Sequence, residues 1–410
     1  MFLLINDSCL ILHCDNFTHN RLKLPVKKCD GKRTLLAIWS LENNNRIANE
    51  NIEGDDDALM PLKILEWPFR SNTKKTTFAC GAFDETNRLV AICDSEKNLC
   101  IFDSTKNFIQ VKHIRLRRNA IKIQFLCFQN KNFVLVADKS GNIYQFDGRP
   151  DESAIFEDNG LGDNFTSGEL LLGHCSMLLD FIVTENKDYI ISADRDEKIR
   201  ISHYPNTYNI LSYCLGHRDF VGTIGLIDKQ TLISGSGDGS LLCWNYLHGK
   251  TLHQYQYTDD SGVGEDKERT KIKCLIVEKK WRQFLCVIFH KQSHIDIFKI
   301  IYDHQNCFEA IEKCHRISVD GFPLSIHLDS IEENIFVIQV LLAKSSTKKS
   351  IQCFQVVSDG RGPIRIAEII TKISKKFNDD VKFFESIEKS YEDEVIAFRN
   401  LSKQAHPNAF

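Results

Sequence analysis

Two adjacent stretches within residues 169–246 repeat one pattern. Each copy opens on a Leu-Gly-His tripeptide that ends at His174 or at His217, and each continues with two apolar runs separated by a short turn. The glycines of the two tripeptides are 43 residues apart, which fits the period of about 40–45 residues of a four-stranded propeller blade. The repeat therefore predicts an all-β chain built from the blades of a β-propeller.

A histidine at the start of each copy, followed 21 or 22 residues later by an aspartate, predicts a structural hydrogen-bond network. In such a blade the histidine precedes the first strand and the aspartate lies in the turn between the second and third strands, at the same end of the sheet. A serine on the second strand and a tryptophan on the third would extend the network. A catalytic dyad is the alternative, but the repetition favours the structural interpretation. The residues are His174, Asp196 and Ser192 in the first copy, where Ser202 replaces the tryptophan, and His217, Asp238, Ser234 and Trp244 in the second.

The composition permits a large packed core. Of the 410 residues, 42% are hydrophobic and 26% are charged, so disorder is not the expectation. The formal net charge of −3 argues against a surface that coats nucleic acid. Any contact with RNA would need a local basic patch.

Fifteen cysteines occur singly, many inside apolar runs, and no Cys-x-x-Cys motif is present. This usage is typical of reduced thiols, and it predicts a nuclear protein, with the cytoplasm as the other compartment. No spacing typical of a zinc site occurs, so no metal is predicted. The apolar residues 1–5 are too short for a signal peptide, and no run approaches 18 apolar residues, so no membrane association is expected.

Short strands separated by turn residues recur over residues 1–375 and predict seven blades, with six or eight as alternatives. The third blade is placed at residues 112–147. Three polar stretches, at about 43–57, 149–167 and 259–271, are expected to be exposed loops. In the last segment, 376–410, apolar residues at intervals of three, four and seven predict an amphipathic helix over Asp379–Gln404. That helix would pack either on the propeller or on a partner.

The turn of the first copy carries more charge than a tight hairpin needs. The second copy makes the equivalent turn with small residues around Asp238, whereas the first places both signs of charge in one hairpin. Such a turn predicts a specific protein partner, because complementary charges fix the register and disfavour wrong partners. An ordinary solvated turn is the alternative. The residues are Asp194, Arg195, Asp196, Glu197, Lys198 and Arg200.

A basic group in the preceding blade suggests a second contact surface. Arg117, Arg118 and Lys139 could contact a phosphate backbone, with Lys112 and Arg115 nearby. A solvated blade rim is the alternative. No dinucleotide, phosphate-loop, Gly-x-Ser-x-Gly or His-Glu-x-x-His motif is present, so neither a catalytic residue nor a cofactor is predicted in this chain.

The repeats resemble the WD-repeat, non-catalytic subunit of the tRNA (guanine-N7-)-methyltransferase, the family whose insect members are called Wuho. The stretches that carry the resemblance are residues 136–141, 173–180, 193–202, 214–217 and 236–239. The resemblance implies a WD40-type β-propeller that forms a heterodimer with a catalytic subunit. That subunit would bind S-adenosylmethionine and methylate a guanine in the tRNA variable loop, so tRNA would be met through the complex.

The same resemblance implies that the charged turn faces the catalytic subunit. It assigns the contact to Glu197, Lys198 and Arg200, with Arg195 and Asp196 in support. A general interaction scaffold, such as an adaptor for a ubiquitin ligase or a chromatin assembly, is the alternative function. An independent enzyme is a third hypothesis, which the missing motifs disfavour.

Overall fold

The computed structural model describes the chain in segments. They are residues 3–5, 9–13, 35–40, 63–67, 77–149, 166–257, 270–278, 280–332, 335–347, 351–358 and 365–369. The expected helix over Asp379–Gln404, the boundary after residue 375 and most of the three polar loops lie outside the described residues. The chain divides into two compact units, with a division after Gly173.

The first unit contains three four-stranded antiparallel sheets among its described residues, and each sheet is a meander of consecutive strands. The strands are β1 (Leu3–Ile5), β2 (Cys9–His13), β3 (Leu35–Ser40), β4 (Lys63–Glu66), β5 (Phe78–Phe83), β6 (Leu89–Asp94), β7 (Asn98–Asp103), β8 (Ile109–Arg115), β9 (Ala120–Phe128), β10 (Lys131–Asp138), β11 (Asn142–Asp147) and β12 (Glu169–Gly173). A 3-10 turn at Ser104–Lys106 follows β7.

The core of the first unit lies between the β5–β8 sheet and the β9–β12 sheet. Strands β6 and β7 are buried along their whole length, which explains why they are almost continuously apolar instead of alternating. Leu99 and Ile101 from one sheet pack with Ile123 and Val134 from the other.

The expected start of the third blade is wrong. Lys112 and Arg115 lie on β8, which pairs with β7 as the outer strand of the preceding sheet. The third sheet begins at Ala120. The sequence did not show this boundary because the short turn between β8 and β9, residues 116–119, contains neither glycine nor proline.

The second unit contains four further sheets of the same kind. Their strands are β13 (Leu178–Val183), β14 (Tyr189–Asp194), β15 (Ile199–His203), β16 (Ile210–Cys214), β17 (Val221–Leu226), β18 (Thr231–Ser236), β19 (Ser240–Asn245), β20 (Lys250–Gln256), β21 (Ile272–Val277), β22 (Phe284–Phe289), β23 (His294–Tyr302), β24 (Phe308–Ser318), β25 (Phe322–Glu332), β26 (Ile335–Ala343), β27 (Ile351–Val357) and β28 (Arg365–Ile369).

Three apolar layers join these four sheets in chain order. In the first layer, Ile199 and Ile201 of β15 pack against Trp244 and Leu242 of β19. The expectation of an all-β chain of four-stranded antiparallel sheets is confirmed. The described parts of both units contain seven such sheets in total, and the closure of seven blades into one ring stays a prediction.

Candidate partner-binding site

The charged turn, residues 195–198, joins β14 to β15 and is held by the last residue of β14. Asp194 is buried, and one of its carboxylate oxygens (Oδ1) accepts a hydrogen bond from the backbone N–H of Lys198 at 3.0 Å. Its backbone N–H donates to the carbonyl of Lys198 at 3.1 Å, and Arg195 N–H donates to the carbonyl of Met177 at 2.9 Å. The turn therefore has a fixed backbone from which its side chains project.

Other sheets build the same turn. The carboxylates of Asp94 and Asp138 accept the N–H of the residue four positions later, at 2.8 and 3.0 Å. The residue before that N–H has a positive φ in each case, and it is glycine in the β10–β11 turn. In the charged turn this position is Glu197, with φ of 70°. A non-glycine residue in this region costs about 1 kcal/mol or more, so the glutamate is held there against a local preference.

The expected pairing of His174 with Asp196 is wrong. Nδ1 of His174 lies 2.9 Å from Oδ2 of Asp194, and Asp196 stands at the exposed tip of the turn, 3.5 Å from Arg195 Nε. The physical reason is the geometry of the turn. Asp194 accepts the hydrogen bond from the Lys198 N–H that closes the turn, and the same carboxylate faces His174. In the second copy Ser236 occupies the place of Asp194. The carboxylate that faces the histidine is therefore that of Asp238, two residues later.

Asp194 was also expected among the partner contacts. Since its carboxylate is buried under the turn and bonded twice, it supports the surface instead of forming it.

The second copy has the larger network. Nε2 of His217 lies 2.7 Å from Ser234 Oγ, and Nδ1 lies 3.0 Å from Ser240 Oγ and 3.3 Å from Asp238. Trp244 Nε1 donates to Ser234 Oγ at 2.8 Å. Burial opposes ionisation of Asp238, but hydrogen bonds, first from His217 and then from Ser240, hold its pKa well below the usual range. Every polar group of the network thus finds a partner inside the protein.

In the first copy the network is shorter. Nε2 of His174 lies 2.8 Å from Ser192 Oγ, and Ser202 occupies the register position of Trp244. With a tryptophan missing there, the Ser202 hydroxyl is free to accept a hydrogen bond from Arg200 Nε, at 2.9 Å.

The charged side chains differ in how they are presented. Asp196, Glu197 and Lys198 are exposed, and Arg195 is half-buried. Arg200 is half-buried as well, and its guanidinium also donates to the carbonyl of Thr207 at 3.0 Å. Arg200 therefore lies along the sheet, while the other charges stand at the tip.

Glu197 is in an unfavourable electrostatic position. Desolvation of its carboxylate and, after that, the nearby carboxylate of Asp219 raise its pKa, whereas Lys198 acts in the opposite direction. A cation from another chain would relieve this repulsion.

The basic residues of the first unit divide into two groups. Arg117 and Arg118 are exposed in the β8–β9 turn, and the N–H of exposed Lys139 donates to the carbonyl of Asn119 at 3.2 Å, which brings the two turns together. By contrast, Lys112 Nζ donates to the carbonyl of Arg149 at 3.0 Å. Arg115 donates to Asn98 Oδ1 at 2.9 Å. Arg117, Arg118 and Lys139 thus form the exposed group at one end of the third sheet.

Sequence reasoning missed one member of the buried networks. Trp67 Nε1 donates to Asp94 Oδ2 at 2.8 Å. In the second sheet a tryptophan thus binds the turn aspartate, as His174 binds Asp194 in the fourth sheet. The signal was weak because Trp67 lies 11 residues before β5, whereas His174 lies four before β13.

Within the segments that the structure describes, no cluster of His, Cys, Asp and Glu has the arrangement of a metal site. Those segments also contain no helix with the length and apolarity that a membrane span requires. Twelve cysteines of those segments, from Cys80 to Cys353, are free thiols.

A contrast between the two aspartates tests the corrected network. Asp194→Ala should lower the free energy of unfolding by about 2–3 kcal/mol, because it leaves His174 and the Lys198 N–H without their charged acceptor. Asp196→Ala should cost less than about 0.5 kcal/mol, because it removes only an exposed ion pair. Urea denaturation measures both. Equal losses of unfolding free energy in the two variants would contradict the assignment of Asp194 as the partner of His174.

The meandering sheets, their face-to-face packing and the repeated His-Ser contact, which Trp244 extends in the second copy, define a WD40-type β-propeller protein. Two solved structures show the same fold. The structure of U3-55K has a TM-score of 0.52 at 15% identity and covers 76% of this chain and 85% of that chain. A chain of the mitotic checkpoint complex has a TM-score of 0.51 at 11% identity, over 75% and 78%.

Within that class, residues 157–356 match the family described as the tRNA methyltransferase TRM82 WD40 domain. Wuho of Drosophila erecta is 36% identical over 178 residues, 43% of this chain and 39% of that protein. Human WDR4 is 38% identical over 175 residues, 42% of this chain and 39% of that protein. Both are named non-catalytic subunits of tRNA (guanine-N(7)-)-methyltransferase, and the resemblance drawn from the sequence is confirmed. The chain matches less than half the length of these relatives.

Proposed function

We propose that this chain is the non-catalytic subunit of a tRNA (guanine-N7-)-methyltransferase, and that it has no catalytic activity of its own. The observation that carries the proposal is the charged turn, which lies inside the matched region 157–356 and exposes both signs of charge on a fixed backbone. The names of the matched relatives support the same function.

The mechanism follows from the rigidity of the turn. A partner that binds it meets a turn whose backbone is fixed in advance, so little backbone conformational entropy is lost on binding. Binding raises the population of whichever enzyme conformation fits the turn better. The chain therefore acts on the reaction by stabilising the competent form of the catalytic subunit in a heterodimer.

In this proposal the catalytic subunit binds S-adenosylmethionine, and this chain binds no cofactor. The compartment proposed is the nucleus, with the cytoplasm as a second location.

We further propose that the exposed basic group of the first unit contacts the tRNA backbone in the complex. Replacing Arg117, Arg118 and Lys139 together by Ala should weaken tRNA binding by the complex about 10-fold and lower the slope of log K against log salt by up to about 3. Lys131→Ala is the control, since Lys131 is exposed at the other end of the same sheet, where it is the first residue of β10. Titration of labelled tRNA at several salt concentrations measures both. An unchanged salt slope would remove the proposal.

Cells that lack this protein test the function as a whole. N7-methylguanine in their tRNA should fall strongly, and it should return on expression of the wild-type chain. Affinity purification with mass spectrometry distinguishes this function from that of a general scaffold, because only the methyltransferase subunit requires a methyltransferase as its dominant partner. Normal N7-methylguanine in the deficient cells would contradict it.

A further inference from the structure

Exposed apolar side chains are concentrated on one short stretch of the second unit. Nine large hydrophobic residues are exposed across the described segments, and five of them lie between residues 208 and 215. We refer to these five as the apolar rim. They are Tyr208, Ile210, Leu211, Tyr213 and Leu215, and their exposed fractions run from 37% to 83%. Soluble proteins seldom leave such a concentration of apolar surface in water unless a partner covers it.

The rim follows an outer strand. β16 is the last strand of its sheet, where it pairs with β15. Edge strands are commonly protected by lysine, proline or a bulge that turns the edge away. β16 reads Ile-Leu-Ser-Tyr-Cys and contains neither lysine nor proline, although its pairing with β15 has one register shift, between Ile210 and Ser212. Its outward side chains are therefore open to another surface.

The centre of β16 is closed to the addition of a further strand. Ser212 Oγ donates to the carbonyl of Tyr246 at 2.5 Å, in the next sheet. A side chain at Gly249 would collide with the carbonyl oxygen of Tyr213, so the β19–β20 turn lies directly against this backbone. A partner must therefore contact the side chains of the rim instead of pairing with its backbone.

The rim is continuous with the charged turn. Arg200, two residues beyond the turn, lies directly opposite Tyr213 in the β15–β16 pair. The guanidinium of Arg200 bonds to the carbonyl of Thr207, next to Tyr208. Tyrosine and arginine are the residue types most often found at the energetic centres of protein interfaces. Because directly opposed residues of paired strands share a face, Tyr213 lies on the same face of the sheet as Arg200, and the charged tip continues there into aromatic surface.

Resting on the proposed function, we infer that the apolar rim is the second half of the binding surface for the methyltransferase subunit. Its occupant is a face of that subunit with aliphatic or aromatic side chains and a carboxylate that reaches Arg200. The rim supplies the larger part of the affinity through burial, and the charged turn sets the orientation.

The test measures binding of the purified catalytic subunit to the full chain. Tyr213→Ser combined with Leu215→Ser should raise Kd about 100-fold, at low and at high salt alike, because burial of apolar surface is not screened. Leu252→Ser is the matched control, since Leu252 is 46% exposed on β20, the outer strand of the next sheet. Its Kd should equal that of the wild type. The circular dichroism spectrum should be unchanged in all variants.

The outcomes are distinguishable. If the wild-type chain binds and the double variant binds within about threefold of it, the rim is not part of the interface, although the proposed function stands. If the wild-type chain does not bind the methyltransferase subunit, the proposed function fails, and this inference fails with it. A wild-type chain that forms a dimer in sedimentation, with the dimer lost in the double variant, would overturn the inference in favour of a second copy as the occupant.

Discussion

Lys198→Glu is expected to weaken binding of the catalytic subunit about 10- to 100-fold while lowering the free energy of unfolding by less than about 1 kcal/mol. Lys198 is exposed, and its ammonium group contacts the carbonyl oxygen of Asp196 at 3.4 Å, so its removal costs the free protein little. In the complex, the reversed charge would face a carboxylate of the partner. Isothermal titration at two salt concentrations measures the effect, which should shrink at high salt.

Lys229→Glu is the control for that experiment. Lys229 is exposed in the β17–β18 turn, which lies at the opposite end of its sheet from the β18–β19 turn, and it undergoes the same change of charge. Arg200 is less suitable for charge reversal, because its bonds to Ser202 and Thr207 would be lost as well. If Lys198→Glu binds as tightly as Lys229→Glu, the charged turn is merely solvated.

Trp244→Ala is expected to lower the free energy of unfolding by about 3–5 kcal/mol. The indole is fully buried in the apolar layer between the β13–β16 and β17–β20 sheets, and its Nε1 bonds to Ser234. Gly216 lies so close to the ring that a Cβ there would stand 3.0 Å from it, which explains the glycine of the second Leu-Gly-His tripeptide. The substitution leaves a large cavity, and urea denaturation measures its cost.

Trp281→Ala provides the comparison for the loss of an indole. Trp281 is 39% exposed, and Lys280 lies over its ring at 5.4 Å. Its removal should cost below about 1 kcal/mol. A similar loss for the two variants would mean that Trp244 does not hold the two sheets together.

The repeat period and the short apolar runs between turns were sufficient to predict four-stranded sheets, although not the residue at which the third sheet begins. They repeat a local pattern, and each strand has its pairing partner a few residues away in the chain. The histidine network was predicted in kind but with one wrong partner. Two aspartates, Asp194 and Asp196, both stand near the right spacing from His174, and only the end of β14 decides which of them lies under the turn.

The apolar rim could not be predicted from the sequence. Residues 210–214 have the apolar character of any strand, and a buried strand would look the same. Their exposure depends on the position of β16 at the edge of its sheet, which is a property of sheet order and not of local sequence. For the same reason the hydrogen bonds that hold Arg200 along the sheet were not foreseen.

The most direct test of this account is the rate of N7-methylguanine formation in tRNA by the purified catalytic subunit, measured with and without the full chain. The account predicts that this chain alone has no activity, that adding it raises the rate at least about 10-fold, and that Lys198→Glu removes most of the increase at subsaturating concentrations. A catalytic subunit that methylates tRNA equally fast in the absence of this chain would contradict it.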